Sequence, residues 1–268
     1  MSQKRQHGIF DRSDDRKSAV TTLARDYPAG HVIPLHFHDR DQLVYASHGV
    51  MTVRSREGTW VVPPYRAVWI PARVSHTITM SGRVAMRTLY FKSTFAKKRS
   101  RECSVINVSA LLKELILDAC TVRALKKTVK WQRHFIAVIL HQLQTVQTVP
   151  LQLPHLLDPR AVRVTEILIK DPSDRRTLAQ LCKGAGASKR CVERLFQDEI
   201  GMTFGKWRQQ LRLMQAMRLL AEGAKVTHAA LESGYSTPSA FISMFRKALG
   251  TTPTSFFKLA PKVASFVE

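Results

Sequence analysis

The chain has 268 residues, with 42 Lys and Arg against 20 Asp and Glu, and a formal net charge of +22. Its 44% hydrophobic and 23% charged content is that of a folded protein and excludes a mainly disordered chain. The charge points to an anionic partner, nucleic acid before a membrane surface; the strongest apolar run, Phe135 to Leu140, is six residues, against roughly 20 for a membrane span.

The excess is spread along the chain. Segments 1–91, 92–157 and 158–268 carry net +6, +8 and +8, and the densest run is Lys97-Lys98-Arg99-Ser100-Arg101. That run reads as a solvated linker. Residues 1–19 lack apolar periodicity and read as a flexible tail, as do 261–268. Met1 to Lys17 has no apolar signal core, and the four cysteines (Cys103, Cys120, Cys182, Cys191) form no CxxC pair. Both features favour a cytoplasmic protein with reduced thiols.

From Val20 to Phe91 the pattern is that of short strands. Gln42 to Ala46 and Val50 to Val53 are broken at His48-Gly49. Trp60 to Val62 and Val68 to Ile70 are broken by Pro63-Pro64; His76 to Thr79 and Val84 to Phe91 close the set. Such spacing predicts a small β-barrel or sandwich over 20–92. His36 and His38 stand two apart, so on a strand they share a face. His31 and His48 read as turn or surface residues, and Trp60 and Trp69 as packing.

The period then changes. Leu112, Leu115, Ile116 and Ala119 form one helical stripe; Trp131, Phe135, Val138, Ile139, Gln142 and Val146 form another. Residues 93–157 therefore read as a helical linker, with apolar faces that must dock on the barrel, on each other or on a second subunit.

From Asp158 the chain reads as all helix. Asp158-Pro159 opens a helix to Lys170. A short helix over Thr177 to Cys182 is followed by a turn with Gly184 and Gly186. Ser188 caps a helix to Glu199 that turns Val192, Leu195 and Phe196 inward. Its outward face carries Lys189, Arg190, Glu193, Arg194 and Gln197. The pattern recurs about 49 residues on. Val226 to Ser233 is short, Gly234-Tyr235-Ser236 turns, and Thr237 with Pro238 opens a helix to Leu249. Phe241, Phe245 and Leu249 face inward; Ser239, Ser243, Arg246 and Lys247 face outward. Thr203 to Glu222 joins the units with the stripe Phe204, Trp207, Leu211, Met214 and Met217. Twenty helical residues span about 30 Å, close to the roughly 34 Å of one DNA turn. Both outward helices could thus enter successive major grooves.

Leu178-Ala179-Gln180-Leu181 through Gly234-Tyr235-Ser236-Thr237-Pro238-Ser239-Ala240-Phe241, ending Phe245-Arg246-Lys247-Ala248-Leu249-Gly250-Thr251-Thr252-Pro253, resembles the AraC/XylS DNA-binding domain over 158–260. The resemblance implies a bacterial transcription regulator that binds double-stranded promoter DNA through both units. Where the family often has Arg, two residues before the second Phe of the last helix, this chain has Ser243. In the N-terminal half, Gly30-x5-His36-x-His38-x3-Gln42-x6-Gly49 and Pro71-x-Arg73-x2-His76 resemble the two cupin motifs. Gln42 replaces Glu, Arg73 replaces Gly and Met80 replaces Asn. The block Val61 to His76 is similar to the sensor half of a cupin-bearing AraC subgroup. This implies a cupin-like sensor barrel over 20–92, with His36, His38 and His76 converging inside.

The resulting expectation is an α+β chain: a cupin-like β-barrel, a helical linker, and an all-α domain with two helix-turn-helix units joined by a long helix. Lys189, Arg190, Glu193, Arg194 and Gln197, with Ser239, Ser243, Arg246 and Lys247 and the caps Ser188 and Thr237, are the candidate DNA-binding residues. His36, His38, Gln42 and His76 are the candidate effector or metal site. Three imidazoles and a carbonyl oxygen suit a divalent transition metal such as Zn, Fe, Ni or Cu; the alternative is a hydrogen-bonding lining for an organic effector. A homodimer, with RNA polymerase as a further partner and no membrane, completes this reading. A second reading is a metal-dependent cupin enzyme with a DNA-binding appendage. Gln42 and the lack of a nearby general-base carboxylate weigh against it.

Overall fold

The computed structural model describes residues 18–92, 94, 102–145, 148, 149 and 151–258. Residues 1–17 and 261–268 of the expected tails, the basic run Lys97 to Arg101, and Val146 lie outside them. Ser18 and Ala19, assigned to the tail from sequence, are buried. The Ala19 amide donates to the Leu125 carbonyl at 2.9 Å, so Ser18 and Ala19 belong to the packed unit rather than to a tail.

Two compact units form. The first comprises 18–56 and 60–149, and the second 57–59 with 151–258. In chain order the first holds β1 (Val20–Tyr27), β2 (Val32–His36), β3 (Asp41–Ser55), β4 (Gly58–Val62), β5 (Arg66–Ile70), β6 (His76–Phe91), β7 (Ser104–Asn107), α1 (Ala110–Ala119), β8 (Ala124–Leu125), α2 (Lys130–Thr145) and β9 (Thr148–Val149). β4 begins in the second unit, where β10 (Gln152–Pro154) pairs with it.

β3 and β6 form the spine. They pair antiparallel from Asp41↔Phe91 to Ser55↔His76. The break expected at His48-Gly49 is instead a bulge inside β3. Gly49 sits at φ 77, and a Cβ there would lie 2.2 Å from the Arg83 carbonyl oxygen. Only glycine lets the strand kink and continue. The interval between the expected strands His76 to Thr79 and Val84 to Phe91 is likewise absorbed into one strand, β6.

The sheet order is β8-β1-β6-β3-β5-β7-β9. This path does not close, so the expected closed barrel is an open antiparallel sheet. Its end strands, β8 and β9, are two residues each, too short to seal an edge against another strand. Helices cover the core instead. Leu112, Ile116 and Ala119 of α1 and Ile136, Ile139 and Leu143 of α2 share one cluster with Val20, Leu43, Trp69, Leu89 and Phe91. The stretch expected as a helical linker therefore supplies helices and strands packed on the sheet. The buried stripe of α2 runs through Ile136, Ile139 and Leu143; of the stripe expected from sequence, Ile139 is buried while Trp131 and Val138 are 55% and 43% exposed. One residue is 100° of helix, so the buried face is centred on Ile136 and Ile139, with Phe135 packed partly buried at its edge.

The second unit is helical: α3 (Pro159–Lys170), α4 (Leu178–Gly184), α5 (Lys189–Ile200), α6 (Phe204–Ala221), α7 (Val226–Glu232), α8 (Pro238–Leu249) and α9 (Pro253–Lys258). Two aromatic clusters organise it. Phe196 meets Phe204 and Trp207 edge-on at 5.5 and 5.8 Å. Phe241 packs on Tyr235 at 5.4 Å and Phe245 at 5.6 Å, and Phe245 on Phe256 at 5.7 Å. Phe196, Phe241 and Phe245 are fully buried, each contributing about 1.5–3 kcal/mol.

Candidate nucleic-acid interface and histidine site

α4 starts at Thr177, whose capping box with Gln180 satisfies two of the free amides at the helix start. A turn at Ala185-Gly186-Ala187 leads to Ser188, whose hydroxyl accepts from the Cys191 amide at 3.2 Å. α5 then buries Val192 and Phe196. The helical period leaves Lys189, Arg190, Glu193, Arg194 and Gln197 exposed, as expected. Leu195, expected inward, is only half-buried. Lys189, Glu193 and Gln197 line one open groove with Thr177, Thr203 and Phe204; Arg190 and Arg194 stand outside it. Two ion pairs cross this face, Lys189–Glu193 at 3.7 Å and Arg194–Asp198 at 3.9 Å. Both are exposed i,i+4 pairs that yield easily to a phosphate. Asp198 was missed from sequence, although its position four residues after Arg194 was the available signal.

The second pair repeats the build. Thr237 accepts from the Ala240 amide at 3.2 Å, and Pro238 occupies the first helical position. Phe241 and Phe245 are buried, so the opposite face turns out. Ser239, Ser243, Arg246 and Lys247 line one shallow groove together with Ile242, which sequence reasoning did not select. Arg246 and Lys247 lie in the last turn, where the helix carries partial negative charge. Ser188 and Thr237 are both spent on capping their helices.

In the first unit His36 ends β2, His38 follows it, and His76 opens β6 opposite His36. His38 thus lies past the strand, so the shared strand face expected for His36 and His38 does not hold, although the rings of His36, His38 and His76 come together. The ring centroids are 4.3 Å apart for His36–His76, 4.9 Å for His36–His38 and 5.7 Å for His38–His76. One ring nitrogen from each lies within 4.8 Å of the others. The Nδ1 of His36 faces the Pro34 carbonyl at 2.7 Å, and that of His76 faces the Val74 carbonyl at 2.9 Å. A carbonyl can only accept, so each Nδ1 carries the proton and each Nε2 keeps its lone pair. Nε2 of His38 and of His76 are buried with no hydrogen-bond partner, as is Oε1 of Gln42. The Gln42 amide donates at 3.4 Å to the Tyr90 hydroxyl, and Tyr90 meets the His38 ring edge-on at 4.8 Å.

Burial also suppresses protonation. Desolvation, then the neighbouring imidazoles, pulls His38 down to about 3. Desolvation, then His36, pulls His76 down to about 4. Burial lowers His36 too, against the opposing hydrogen bond to Pro34. At neutral pH the site is therefore three neutral imidazoles and an amide oxygen, with orphaned lone pairs that a buried site does not leave without reason. Such a donor set fits a divalent transition metal and needs no deprotonation to bind it. Two hydrogen bonds brace the loops. Asp41 Oδ1 accepts from the Ala72 amide at 2.9 Å, and the Arg73 amide donates to the His38 carbonyl at 2.7 Å. Arg73 stands at φ 66, which explains why glycine is the motif residue there. Asp41 was missed, its partner being a backbone amide 31 residues away. Trp60 and Trp69 are core residues, as read; His31 is exposed and stacks on Tyr27 at 4.7 Å.

Among the described residues no helix is long and apolar enough to cross a membrane. A family profile described as an AraC-like ligand binding domain matches residues 18–205, and one described as a helix-turn-helix domain matches 181–259. The HTH-type transcriptional regulator NimR of Escherichia coli (strain K12) is 33% identical over 220 residues, covering 82% of this chain and 80% of NimR. The HTH-type transcriptional regulator RipA of Corynebacterium glutamicum is 32% identical over 104 residues, 38% of this chain and 31% of RipA. A crystal structure of unsaturated fatty acid bound ToxT from Vibrio cholerae strain SCE256 aligns over 92% of this chain and 98% of that one, at TM-score 0.39 and 11% identity. With a ligand-binding profile over most of its length and a regulator matched along four-fifths of both chains, the protein belongs to the AraC family of helix-turn-helix transcriptional regulators.

Proposed function

We propose that this regulator binds promoter DNA through both helix pairs, and that an effector at His36, His38, Gln42 and His76 sets how well it does so. The observation that carries the first part is the repeated build: two capped helices, each anchored by buried aromatics, each turning a polar and basic face outward. α5 reads base edges through Arg190 and Arg194, supported by Lys189, Glu193 and Gln197. α8 supplies hydroxyls from Ser239 and Ser243 and phosphate contacts from Arg246 and Lys247. α6, at 18 residues, spans about 27 Å, which suits half-sites in adjacent grooves. The division into a sensor, a connecting segment and a DNA-binding domain over 158–260 is part of the proposal. So are homodimerisation, supported by the exposed Trp131 and Val138 of α2, and contact with RNA polymerase.

For the effector site the orphaned Nε2 and Oε1 atoms favour a transition metal over a purely organic lining. The metal would be held by His36, His38 and His76 with Gln42, and would supply Lewis acidity toward a further ligand. Coupling requires that the bound form favour one DNA-binding state.

Selection of duplexes from a randomised pool by the full chain tests the DNA part: a two-part site is expected, and no enrichment contradicts it. Titration with Co(II), followed by its visible absorption, tests the site. One tetrahedral-type ion per chain is expected, with loss of that signal in His38→Ala. Silence with Co(II), Ni(II), Cu(II) and Zn(II) alike would return the site to an organic effector.

A further inference from the structure

Arg208 and Arg212 lie one turn apart on α6, and both are half-buried. Among the described residues no carboxylate comes within ion-pair distance of either. Their Nη donors go to backbone carbonyls in the loop between α3 and α4, while Nε of each is buried without a hydrogen-bond partner. Arg208 donates to Arg176 O at 2.7 Å and to Asp174 O. Arg212 donates to the same Asp174 O at 3.0 Å. The loop is stiffened from within: the Asp174 carboxylate accepts from the Arg176 amide at 2.7 Å and from its guanidinium at 2.9 and 2.6 Å. The next residue, Thr177, caps α4. The two arginines therefore grip the lead-in of the first helix pair.

Arg212 also touches the second pair. Its guanidinium lies 6.0 Å over the Tyr235 ring. A Cβ on Gly234 would fall 2.8 Å from its Nε and Nη2, so the turn backbone rests against it. Arg175, from the same loop, reaches the Tyr235 carbonyl at 3.5 Å. Tyr235 packs on Phe241, the first buried anchor of α8. A continuous set of contacts thus runs from the cap of α4, through two guanidinium groups, to the core of the second pair.

This matters because α6 is entered and left at glycines. Gly201 precedes it at φ 63 and Gly223 follows at φ 92, both with no atom crowding the Cβ position. Those are the places where a helix pair could swing on its connector. A second connection between the pairs removes that freedom. It also needs guanidinium groups, since Arg208 reaches two carbonyls at once and Arg212 joins a carbonyl to a ring, which the point charge of Lys cannot supply.

We propose that Arg208 and Arg212 are positioning residues that hold the two helix-turn-helix pairs at one separation, so that the protein demands one spacing between DNA half-sites. The proposal rests on the DNA-binding reading above. Its consequence is specificity by geometry, without either arginine touching DNA.

The test uses the full chain and the best duplex selected from the randomised pool, with versions carrying one base pair added or removed between the half-sites. For the wild type a spacing change should weaken binding by roughly tenfold or more, the order of losing a base contact. Arg212→Lys, assayed well below its melting temperature, should bind the parent duplex less tightly and lose most of the penalty, discriminating by about threefold or less. A purely structural role would lower melting temperature and leave the spacing preference as in the wild type. A folded Arg212→Lys protein with the wild-type penalty overturns the proposal. Arg208→Lys, which keeps the Arg212 contacts, is the second variant. Each pair has its own aromatic core, so failure of both variants to fold also overturns it. No enrichment by the wild type overturns the DNA-binding reading itself, and the proposal with it.

Discussion

The two outward helices of the DNA-binding unit have the same scaffold and different faces. α5 mixes signs: Lys189, Arg190 and Arg194 stand beside Glu193 and Asp198, with two i,i+4 pairs already made. α8 contains no acidic residue and places Arg246 and Lys247 together in its last turn. A mixed face offers donors and acceptors in fixed places, which base edges require. A face of hydroxyls and paired cations suits the phosphate backbone. Under the proposed mode of binding the two helices divide the labour: α5 is the one to choose the sequence, and α8 the one to hold the register.

The largest expected effect breaks the α5 side. Arg194→Ala should cost about 1–3 kcal/mol on the selected duplex and relax preference at one base position, with little change on mixed-sequence DNA. Competition titration reads both. Arg246→Ala should weaken all sequences alike by a smaller factor. It should also lower the slope of log affinity against log salt by about one, which the same titration at several salt concentrations shows. The smallest contrast sharpens the symmetry of the scaffold. Ser188→Ala and Thr237→Ala should each cost about 1 kcal/mol of stability, measured by denaturant unfolding. Equal losses fit two equivalent caps. A loss of DNA affinity well beyond the loss of stability would show that a hydroxyl touches DNA as well.

The DNA-binding half was largely legible because its signals are local. Thr177, Ser188, Thr203 and Thr237 cap helices within three residues of themselves, and Pro238 and Gly250 mark the start and end of α8. The outward residues then follow from the helical period. The sensor half was legible in residue type and less so in geometry. Gly49 looks like a strand break until the Arg83 carbonyl beside it is seen. β8 and β9 are two residues long and carry no pattern of their own. Whether a sheet closes depends on which edges meet, which alternation along a strand does not encode. His36, His38 and His76 were singled out by their resemblance to the cupin motifs, yet the proton positions of His36 and His76 come from the Pro34 and Val74 carbonyls. Arg208 and Arg212 escaped notice for a related reason: their acceptors are backbone oxygens, and any residue has one.

In the proposed mode of binding both helix pairs engage one duplex at the same time. Hydroxyl-radical footprinting of the full chain on its selected duplex tests it most directly. The expected result is two protected patches on one face of the DNA, about 10–10.5 base pairs apart centre to centre, with Arg194→Ala thinning one patch and Arg246→Ala the other. A single patch that Arg246→Ala leaves unchanged would contradict it.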